Sequence, residues 1–474
     1  MARKANSGGA RRVSAVNTGA SARKTASAGR SGAEDRSRRR EPARAAMPVR
    51  GRAAERSRAA GRSARARTEA EQRREERERL RRKREQRAGS RGGTERSGGG
   101  SVVSTLRRKL LREGDMDYTM LFLIILIVAI GLIVMLSASA PAGSRLYNDS
   151  YYFFKRQLIF IVVGFAGMFI ISGINLDSFL NLIPKAFIIC VILLILVLIP
   201  GIGAEFNGAR RWLNIPFIQL QPSELMKPVI AMYIAYLVKM KVIDLKTLRS
   251  NLFCLGIIGI VALLLMLETH LSGTIVIVGI ACCVMIAGGT PVKPLIIGGI
   301  AIVALMFIYL QFDPTRMARI TSLLDPFADS QTTGYQVSQS IYAIGSGRLF
   351  GLGLGQSVQK YSNLPEPYND FIFSIICEEL GFFGATVIIL LFAALFLRAI
   401  RIAINAPDVW STLTCIGIAA QLGIQTFLNM GVAVSIIPNT GISLPFFSYG
   451  GTSILTLLLE MGILLNVSRK TIKK

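Results

Sequence analysis

Residues 118–137 read YTMLFLIILIVAIGLIVMLS and include no charged side chain. An α-helix of about 20 apolar residues crosses the hydrocarbon core of a bilayer. Further apolar stretches of this kind lie at residues 157–173, 186–202, 222–238, 251–267, 273–287, 294–311, 371–397, 409–434 and 449–467. The pattern predicts an all-α polytopic membrane protein with about ten transmembrane helices.

The segment before the first span has a different composition. Residues 1–114 contain 34 Lys or Arg and 12 Asp or Glu but no Phe, Trp or Tyr, so most of the whole-chain charge of +27 lies there. This segment cannot bury enough apolar surface to offset the entropy lost on folding, which predicts a disordered basic cytoplasmic tail. It lacks the apolar region of a cleavable signal peptide, so the first span is expected to remain as an anchor. The second domain is then residues 115–474.

The location of the basic residues within the chain indicates what kind of partner they bind. Because the basic residues are concentrated in a segment with no predicted fold, no specific nucleic acid partner is expected. Each Lys or Arg near an anionic membrane surface adds about 1 kcal/mol of attraction. We therefore expect the tail to contact anionic lipids or cytoplasmic division proteins.

Basic residues also predict the orientation, since they favour cytoplasmic loops. Four of them precede the first span, and an even number of spans then places both termini in the cytoplasm. The longest outer loop, residues 312–370, separates spans seven and eight, and its length favours a function. Basic residues that fall on the outer side suit an anionic ligand such as a diphosphate; they are Lys155, Arg156, Arg210, Arg211, Arg316, Arg319, Arg348 and Lys360.

The fourth span begins with residues 221–227, QPSELMK. Pro222 suits the first turn of a helix, and Glu224 and Lys227, three positions apart, then share one face. Charged side chains at membrane depth suggest function. A structural ion pair that neutralises itself is the alternative interpretation.

Asp370 ends the long outer loop where the eighth span begins. An acidic residue there can act simply as a helix cap. At the mouth of a membrane span it can also be desolvated, and a carboxylate with a raised pKa can accept a proton. Glu378 and Glu379 follow on the same helix; adjacent residues point in different directions, which favours a packing role for them.

Residues 438–453, PNTGISLPFFSYGGTS, interrupt apolar sequence with two prolines and three glycines. Non-helical backbone at membrane depth is tolerated where protein or a water-filled cavity covers it. The stretch therefore predicts a re-entrant or cavity-lining loop, with an ordinary surface turn as the alternative. Residues 351–355, GLGLG, do not form a dinucleotide-binding motif.

Several of these motifs together resemble the SEDS family, which contains FtsW, RodA and SpoVE. The matching stretches are YFFKRQ at 152–157, NGARRW at 207–212, the 221–227 block, GYQVSQS at 334–340, GSG at 345–347, GLGLG at 351–355, DFIF at 370–373 and the 438–453 block. The resemblance covers residues 118–474. The GSG and 442–451 stretches are more similar to the FtsW and SpoVE branch than to RodA.

The resemblance implies a ten-helix peptidoglycan glycosyltransferase of cell division, which polymerises lipid II into glycan strands. It implies that Asp370 is the catalytic residue. It also implies functional importance for Arg156, Arg211, Glu224 and Lys227, and we extend the substrate-binding set to Gln221 and Ser223. A class B penicillin-binding protein is the implied partner, with other division proteins.

Two departures from the family pattern affect the site. The family often has His-Thr-Asp where this chain has Tyr368, Asn369 and Asp370, so the immediate polar surroundings of the Asp differ. The turn after the fifth span is often Pro-Asp-Leu-Gly-Thr, whereas here it begins with Thr269 and His270. That difference puts an acidic role at this turn in doubt.

These residues suggest a mechanism. Asp370 accepts the proton of the acceptor hydroxyl, and Arg156, Arg211 and Lys227 stabilise the undecaprenyl diphosphate that leaves the growing glycan. A divalent cation, Mg²⁺ or Mn²⁺, is compatible with this chemistry, although no ligand cluster in the sequence proves one. The alternatives are a lipid II flippase, since charges and broken helices also suit transport, and a non-catalytic division scaffold.

Overall fold

A computed structural model describes residues 115–206, 209–215, 218–311, 323, 327, 334–362, 364–439 and 441–470. Within these residues the chain is predominantly helical, as the apolar stretches predict. The predicted tail, residues 1–114, lies outside the described residues. So do Arg316 and Arg319 of the long outer loop.

The described part of the chain contains twelve α-helices, numbered here in chain order. They are α1 (Tyr118–Tyr147), α2 (Tyr152–Gly173), α3 (Ile183–Leu198), α4 (Pro222–Lys239), α5 (Leu248–Leu267), α6 (Leu271–Ala287), α7 (Val292–Gln311), α8 (Tyr335–Ser346), α9 (Gln359–Ser362), α10 (Ile372–Ile404), α11 (Val409–Ala433) and α12 (Gly451–Ser468). Each predicted span overlaps one of them. Helices α8 and α9 belong to the outer loop between α7 and α10.

Seven helical segments among the described residues are long and apolar enough to cross a membrane, which confirms a multi-pass helical membrane protein. One of them, Leu176–Leu198, joins a short 3₁₀ helix to α3. Helix α4 carries Glu224, Lys227 and Lys239, and α6 has only 17 residues. The total of ten spans therefore stays a prediction.

Asp117 connects three helices at one side of the bundle. Its carboxylate caps α1 by accepting a hydrogen bond from Met120 N at 2.9 Å and also accepts one from Arg398 Nε, on α10, at 2.8 Å. Its backbone N–H donates to Ser468 Oγ, at the end of α12, at 3.2 Å. The beginning of the first span and the end of the last therefore lie on the same side, as an even number of spans requires.

The helices pack around two apolar clusters. The larger cluster joins α1, α2, α10, α11 and α12, and the second joins α3, α4, α5 and α6 to α11. Helix α11 belongs to both, and it approaches α4 closely because Gly417 faces Ala231: a Cβ on Gly417 would lie 2.3 Å from the Ala231 Cβ. Small residues at such contacts let membrane helices come together.

A small antiparallel sheet lies between α3 and α4, which the all-α prediction did not include. Its strands are β1 (Gly203–Phe206), β2 (Ala209–Ile215) and β3 (Ile218–Leu220), in the order β1-β2-β3. Glu205 stands opposite Arg210 in the register, and their side chains form an ion pair at 3.0 Å. The sheet places the next residue, Arg211, on a rigid strand beside the start of α4.

Helix α10 is interrupted at Gly381, whose φ of 67° and ψ of −168° are not helical. The segment 348–353 pairs with the interruption. Phe382 N and Phe383 N donate to the carbonyls of Arg348 and Leu349, at 2.9 and 3.1 Å. In return, the N–H groups of residues 352 and 353 donate to the carbonyls of residues 378 and 379, at 2.9 and 3.0 Å.

This pairing explains how the helix tolerates the break at Gly381. Gly381 lies nine residues beyond the start of α10 at Ile372, which is about 14 Å at 1.5 Å per residue. Backbone groups at that depth need partners within the protein, and segment 348–353 provides them. The glycine-rich 351–355 stretch, which forms no dinucleotide-binding motif, thus supplies two of the N–H groups that pair with the interruption.

Glu378 and Glu379 bind residues 357–360, which follow this segment, as their predicted packing role requires. Glu379 forms an ion pair with Lys360 at 2.7 Å and accepts a hydrogen bond from Ser137 Oγ, on α1, at 2.7 Å. Glu378 accepts hydrogen bonds from the backbone N–H groups of residues 358 and 359 and from Ser357 Oγ. Both carboxylates are buried and well supplied with donors.

We predict that Gly381→Ala lowers the stability of the folded protein by about 1–3 kcal/mol, because its backbone conformation is open almost only to glycine. The added Cβ would also lie 2.3 Å from Gly351 N. Thermal unfolding of the detergent-solubilised protein measures the effect. The control is Gly345→Ala, where a Cβ meets nothing within 4 Å. Equal unfolding temperatures for the two variants would contradict the prediction.

Candidate active site

The backbone of residues 368–370 is held by the connection between α11 and α12 and by α11 itself. Tyr449 N donates to the carbonyl of Tyr368 at 2.9 Å, and Ser448 Oγ donates to that of Asn369 at 2.7 Å. The carbonyl of Asp370 accepts a hydrogen bond from the side chain of Asn429 at 2.8 Å. Three consecutive carbonyls are therefore bound, and Asp370 is fixed at the start of α10.

Asn429 joins two segments of the site. Its Nδ2 donates both to Asp370 O and to Ile442 O, the latter at 2.7 Å. The side chain is fully buried on α11. The predicted interruption is non-helical at residues 438–439 and 441–450, and α12 begins at Gly451. Asn429 thus ties this segment to the one that carries Asp370.

Asp370 and Arg211 meet beside Gly441. A Cβ on Gly441 would lie 3.4 Å from Asp370 Oδ2 and 3.9 Å from Arg211 Nη1. Gly441 has a φ of +70°, which favours glycine, and the absence of a side chain leaves this space open. On its other side Arg211 Nη2 donates to the carbonyl of Thr269, in the turn between α5 and α6, at 2.6 Å. A carboxylate and a guanidinium from distant parts of the chain are thus brought together.

Glu224 and Lys227 form an ion pair on the first turns of α4, with Lys227 Nζ 2.6 Å from Glu224 Oε1. Both residues are buried, at 5% and 3% exposure. Lys227 also donates to Gln425 Oε1 on α11 at 3.3 Å, and Gln425 Nε2 donates to the carbonyl of Ser443 at 3.0 Å. The pair is therefore connected to the loop that carries Gly441.

Arg156 lies near the N-terminal end of α2 and is exposed, with its guanidinium carbon 5.3 Å from the centroid of the Tyr152 ring. It also acts on Tyr449, whose pKa is raised by burial and lowered in part by the charge of Arg156. The neighbouring Gln157 accepts a hydrogen bond from Gly450 N at 3.2 Å. Helix α2 is in this way attached to the same loop, residues 441–450.

The remaining predicted site residues lie at the start of α4. Gln221 is the residue before the helix and is half-buried. Ser223 has no exposed surface, and its hydroxyl has no hydrogen-bond partner among the described residues. Of the predicted set, Ser223 is thus enclosed by protein, whereas Gln221 reaches the surface.

The sequence analysis missed Glu268, one residue before the turn whose acidic role it put in doubt. Glu268 follows α5, has 0% exposure, and neither carboxylate oxygen has a hydrogen-bond partner among the described residues. Burial raises its pKa to about 8, although the charge of Arg211 opposes the shift. An acidic group is therefore present at this turn, at a position different from the one the family pattern indicates. A Glu directly after an apolar span was the available signal.

His270, in the same turn, is also buried. Burial lowers its pKa well below the usual value, and the charges of Arg211 and Lys227 add to the effect. Its ring lies against Gly273, where a Cβ would come within 2.6 Å of Nδ1. The turn thus presents a neutral imidazole next to the positively charged part of the site.

Fold and site together define a class of protein: a multi-pass helical membrane protein with a polar site enclosed by non-helical segments at one end of the bundle. Residues 117–473 match the FtsW, RodA and SpoVE family, described as "Cell cycle protein". The chain belongs to this family.

Two relatives illustrate the similarity. The chain is 42% identical over 356 residues to stage V sporulation protein E of Bacillus subtilis (strain 168), covering 74% of this chain and 97% of the relative. It is 37% identical over 357 residues to a probable peptidoglycan glycosyltransferase FtsW of Geobacter sp. (strain M18), covering 75% and 97%. The matches exclude most of the N-terminal 114 residues.

Solved structures show the same fold. A chain from a peptidoglycan synthase complex, described for its structural coordination of polymerization and crosslinking, aligns with a TM-score of 0.63 at 26% identity. The alignment covers 76% of this chain and 99% of that one. The rod shape determining protein RodA of Thermus thermophilus aligns with a TM-score of 0.56 at 26% identity, covering 76% and 98%.

We predict that Glu268→Gln changes how stability depends on pH. A carboxyl whose pKa rises from 4.5 to about 8 on folding keeps its proton in the folded state after the unfolded state has lost it. The resulting stability is fully present below pH 4.5 and is lost as the pH rises to 8. The unfolding temperature of the wild type should therefore fall relative to that of the variant between pH 5 and 8.

The control for this measurement is Glu366→Gln, in the outer loop, where the carboxylate is exposed. Its pH profile should follow that of the wild type. Parallel profiles for Glu268→Gln and the wild type across the whole range would show that Glu268 carries no such proton.

Proposed function

We propose that this protein is a peptidoglycan glycosyltransferase that polymerises lipid II into glycan strands at the outer face of the cytoplasmic membrane. Curated relatives named FtsW carry this activity in their names. The observation that carries the proposal is the approach of Asp370 and Arg211 to Gly441. It combines a proton acceptor with a cationic group at the end of a membrane helix, where a lipid-linked diphosphate can reach both.

In the proposed reaction Asp370 is the general base. It accepts the proton of the acceptor sugar hydroxyl as the oxygen attacks the anomeric carbon of the growing strand. The bond from that carbon to the diphosphate breaks, and attack from the opposite face inverts the configuration. Asn429 holds the backbone of Asp370 in place. This supports the role of general base, because the carboxylate must be positioned before the substrate arrives.

The basic residues of the site bind the diphosphate in this proposal. Arg211 is supported best, since its guanidinium faces Gly441 and is anchored by Thr269. Arg156, exposed at the end of α2, meets the diphosphate or the lipid-linked substrate from the other side of the loop. Charge developing on the leaving group is stabilised by such preorganised donors.

Lys227, Glu224 and Ser223 are assigned a supporting role. Their burial, and the contact of Lys227 with Gln425, favour positioning of the 441–450 loop over direct substrate contact. Lys227 is connected to the loop through Gln425, which donates to the carbonyl of Ser443. Gln221, half-buried at the start of α4, is the member of this block that is available to touch the substrate.

A divalent cation such as Mg²⁺ or Mn²⁺ would need several oxygen ligands from the protein or the substrate. The described residues contain no group of three or more His, Cys, Asp or Glu side chains that could hold a metal ion. The cationic group next to Asp370 is Arg211. No step of the proposed reaction is therefore assigned to a metal.

The proposed setting is the bacterial cytoplasmic membrane, with both termini in the cytoplasm and activity at the division septum. A class B penicillin-binding protein is the proposed partner, supported by the fold shared with a chain of a complex that couples polymerization to crosslinking. Further division proteins and anionic lipids are the proposed contacts of the basic tail. The position of Asp370 at the end of a helix supports surface chemistry over transport by a flippase.

We predict that Asp370→Asn reduces the rate of glycan polymerisation at least about 100-fold, because general base catalysis contributes 10² to 10⁴. The assay uses purified protein, lipid II and a penicillin-binding partner, with strands measured by gel electrophoresis. The control is Asp149→Asn, an outer-loop aspartate paired with Lys155, which should remain active.

Each rival function predicts another result. Strand synthesis at an undiminished rate by Asp370→Asn would remove this residue from the mechanism. A scaffold would form no strands in the wild type either, while its complex with the partner persists. A flippase would move lipid II across vesicle membranes and form no strands when the substrate is already on the outer side.

A further inference from the structure

Glu460 is a buried acid in the middle of α12 that the proposed reaction does not use. It lies nine residues after Gly451, about 14 Å into the helix, and is 1% exposed. Its Oε1 accepts a hydrogen bond from Gln421 Nε2, on α11, at 3.0 Å. Its Oε2 has no hydrogen-bond partner among the described residues. Acidic residues at membrane depth are rare and generally functional.

The charged groups that act on Glu460 are Lys227 and Glu224, both on α4. Helix α11 presents the neutral Gln421 to it. Lys227 is already bound to Glu224 at 2.6 Å. With every group ionised, the three residues would hold two negative charges and one positive charge. An uncompensated charge in the low-dielectric interior is strongly unfavourable.

In ionised Glu460 and Glu224 and in Gln421, the oxygens without partners among the described residues can only accept, whereas the hydroxyl of Thr456 can also donate. Oxygens without partners among the described residues include Glu460 Oε2, Glu224 Oε2, Gln421 Oε1 and Thr456 Oγ1. Thr456 lies four residues before Glu460 and therefore on the same face of α12. A carboxylate adds another acceptor to this set, whereas a carboxylic acid supplies a donor.

The other buried glutamates of the bundle provide a comparison. Glu379 lies 2.7 Å from Lys360 and accepts a hydrogen bond from Ser137, and Glu378 accepts from a hydroxyl and two backbone N–H groups. Glu460 has one amide donor. Its surroundings therefore match a neutral acid better than a carboxylate.

We propose that Glu460 is a proton-binding site inside the membrane: at pH 7 its carboxyl carries a proton, which leaves Lys227 paired with the carboxylate of Glu224. Binding of one proton makes the cluster of Glu460, Glu224 and Lys227 electrically neutral. The cluster reaches the active site, since Lys227 contacts Gln425 and Gln425 contacts Ser443. Ionised Glu460 would compete with Glu224 for Lys227 and disturb this connection.

Infrared spectroscopy tests the protonation state directly, because a protonated carboxyl has a carbonyl stretch distinct from the carboxylate bands. Spectra of the purified full-length protein at pH 7 are recorded for the wild type and Glu460→Gln. The difference spectrum should contain the acid carbonyl band of one carboxyl, present in the wild type and lost in the variant. An unchanged acid band would overturn the proposal.

Two control variants calibrate the band. Glu379→Gln removes a carboxylate paired with a lysine and should leave the acid band intact. Glu268→Gln removes a second buried carboxyl, whose pKa of about 8 keeps it protonated at pH 7, and should remove a separate component of the band. The readout needs no substrate, so it is independent of the proposed glycosyltransferase activity.

Glu224→Gln provides a second test that keeps Glu460 in place. Without the Glu224 carboxylate, Lys227 has Glu460 as its available counter-charge, and Glu460 should ionise. The acid component assigned to Glu460 should then disappear at pH 7, and its persistence would overturn the charge argument. Loss of the wild-type band on adding Na⁺ at constant pH would instead identify a cation site and overturn the proton assignment.

Discussion

The double hydrogen bond from Asn429 is the interaction on which the site depends. One buried amide nitrogen binds the carbonyls of Asp370 and Ile442, and so joins the start of α10 to the segment between α11 and α12. Both segments are non-helical, and their backbone groups need partners where water is excluded. The requirement for hydrogen bonding thus also sets the position of the Asp370 carboxylate relative to Gly441 and Arg211.

The buried charges of Glu224 and Lys227, on α4, are also connected to the 441–450 loop. The Glu224–Lys227 pair is expensive to bury, and its geometry is good, with a contact of 2.6 Å and a further bond to Gln425. Such pairs contribute little net stability but are strongly disruptive when one partner is removed. The Glu224–Lys227 pair instead helps to position the 441–450 loop, because Gln425, which binds Lys227, also donates to the carbonyl of Ser443. A neutral Glu460 is consistent with the same constraint.

The interruption of α10 meets the same requirement as the site loop: backbone groups without helical partners form hydrogen bonds to another segment of the protein. Gly381 breaks the helix, and the backbone groups that lose their helical partners pair with segment 348–353. Glu378 and Glu379 of α10 also bind residues 357–360, which follow this segment. The loop between α7 and α10 is therefore partly built into the bundle. Ser340 Oγ donates to the carbonyl of Ala433, and Asn429 donates to the carbonyl of Asp370, so the loop is bound to α11 at two points.

The sequence by itself determined the helical membrane class, the shared face of Glu224 and Lys227, the place of Asp370 at a helix start and the non-helical connection before Gly451. These features depend on the length, periodicity and local composition of the chain, which are visible without a fold. Only the tertiary structure decided that Asp370 and Arg211 meet at Gly441, that Asn429 holds both loops, and that Glu268 and Glu460 are buried without full partners. Those features depend on which helices pack together and on the low dielectric between them, and no local pattern of residues encodes either.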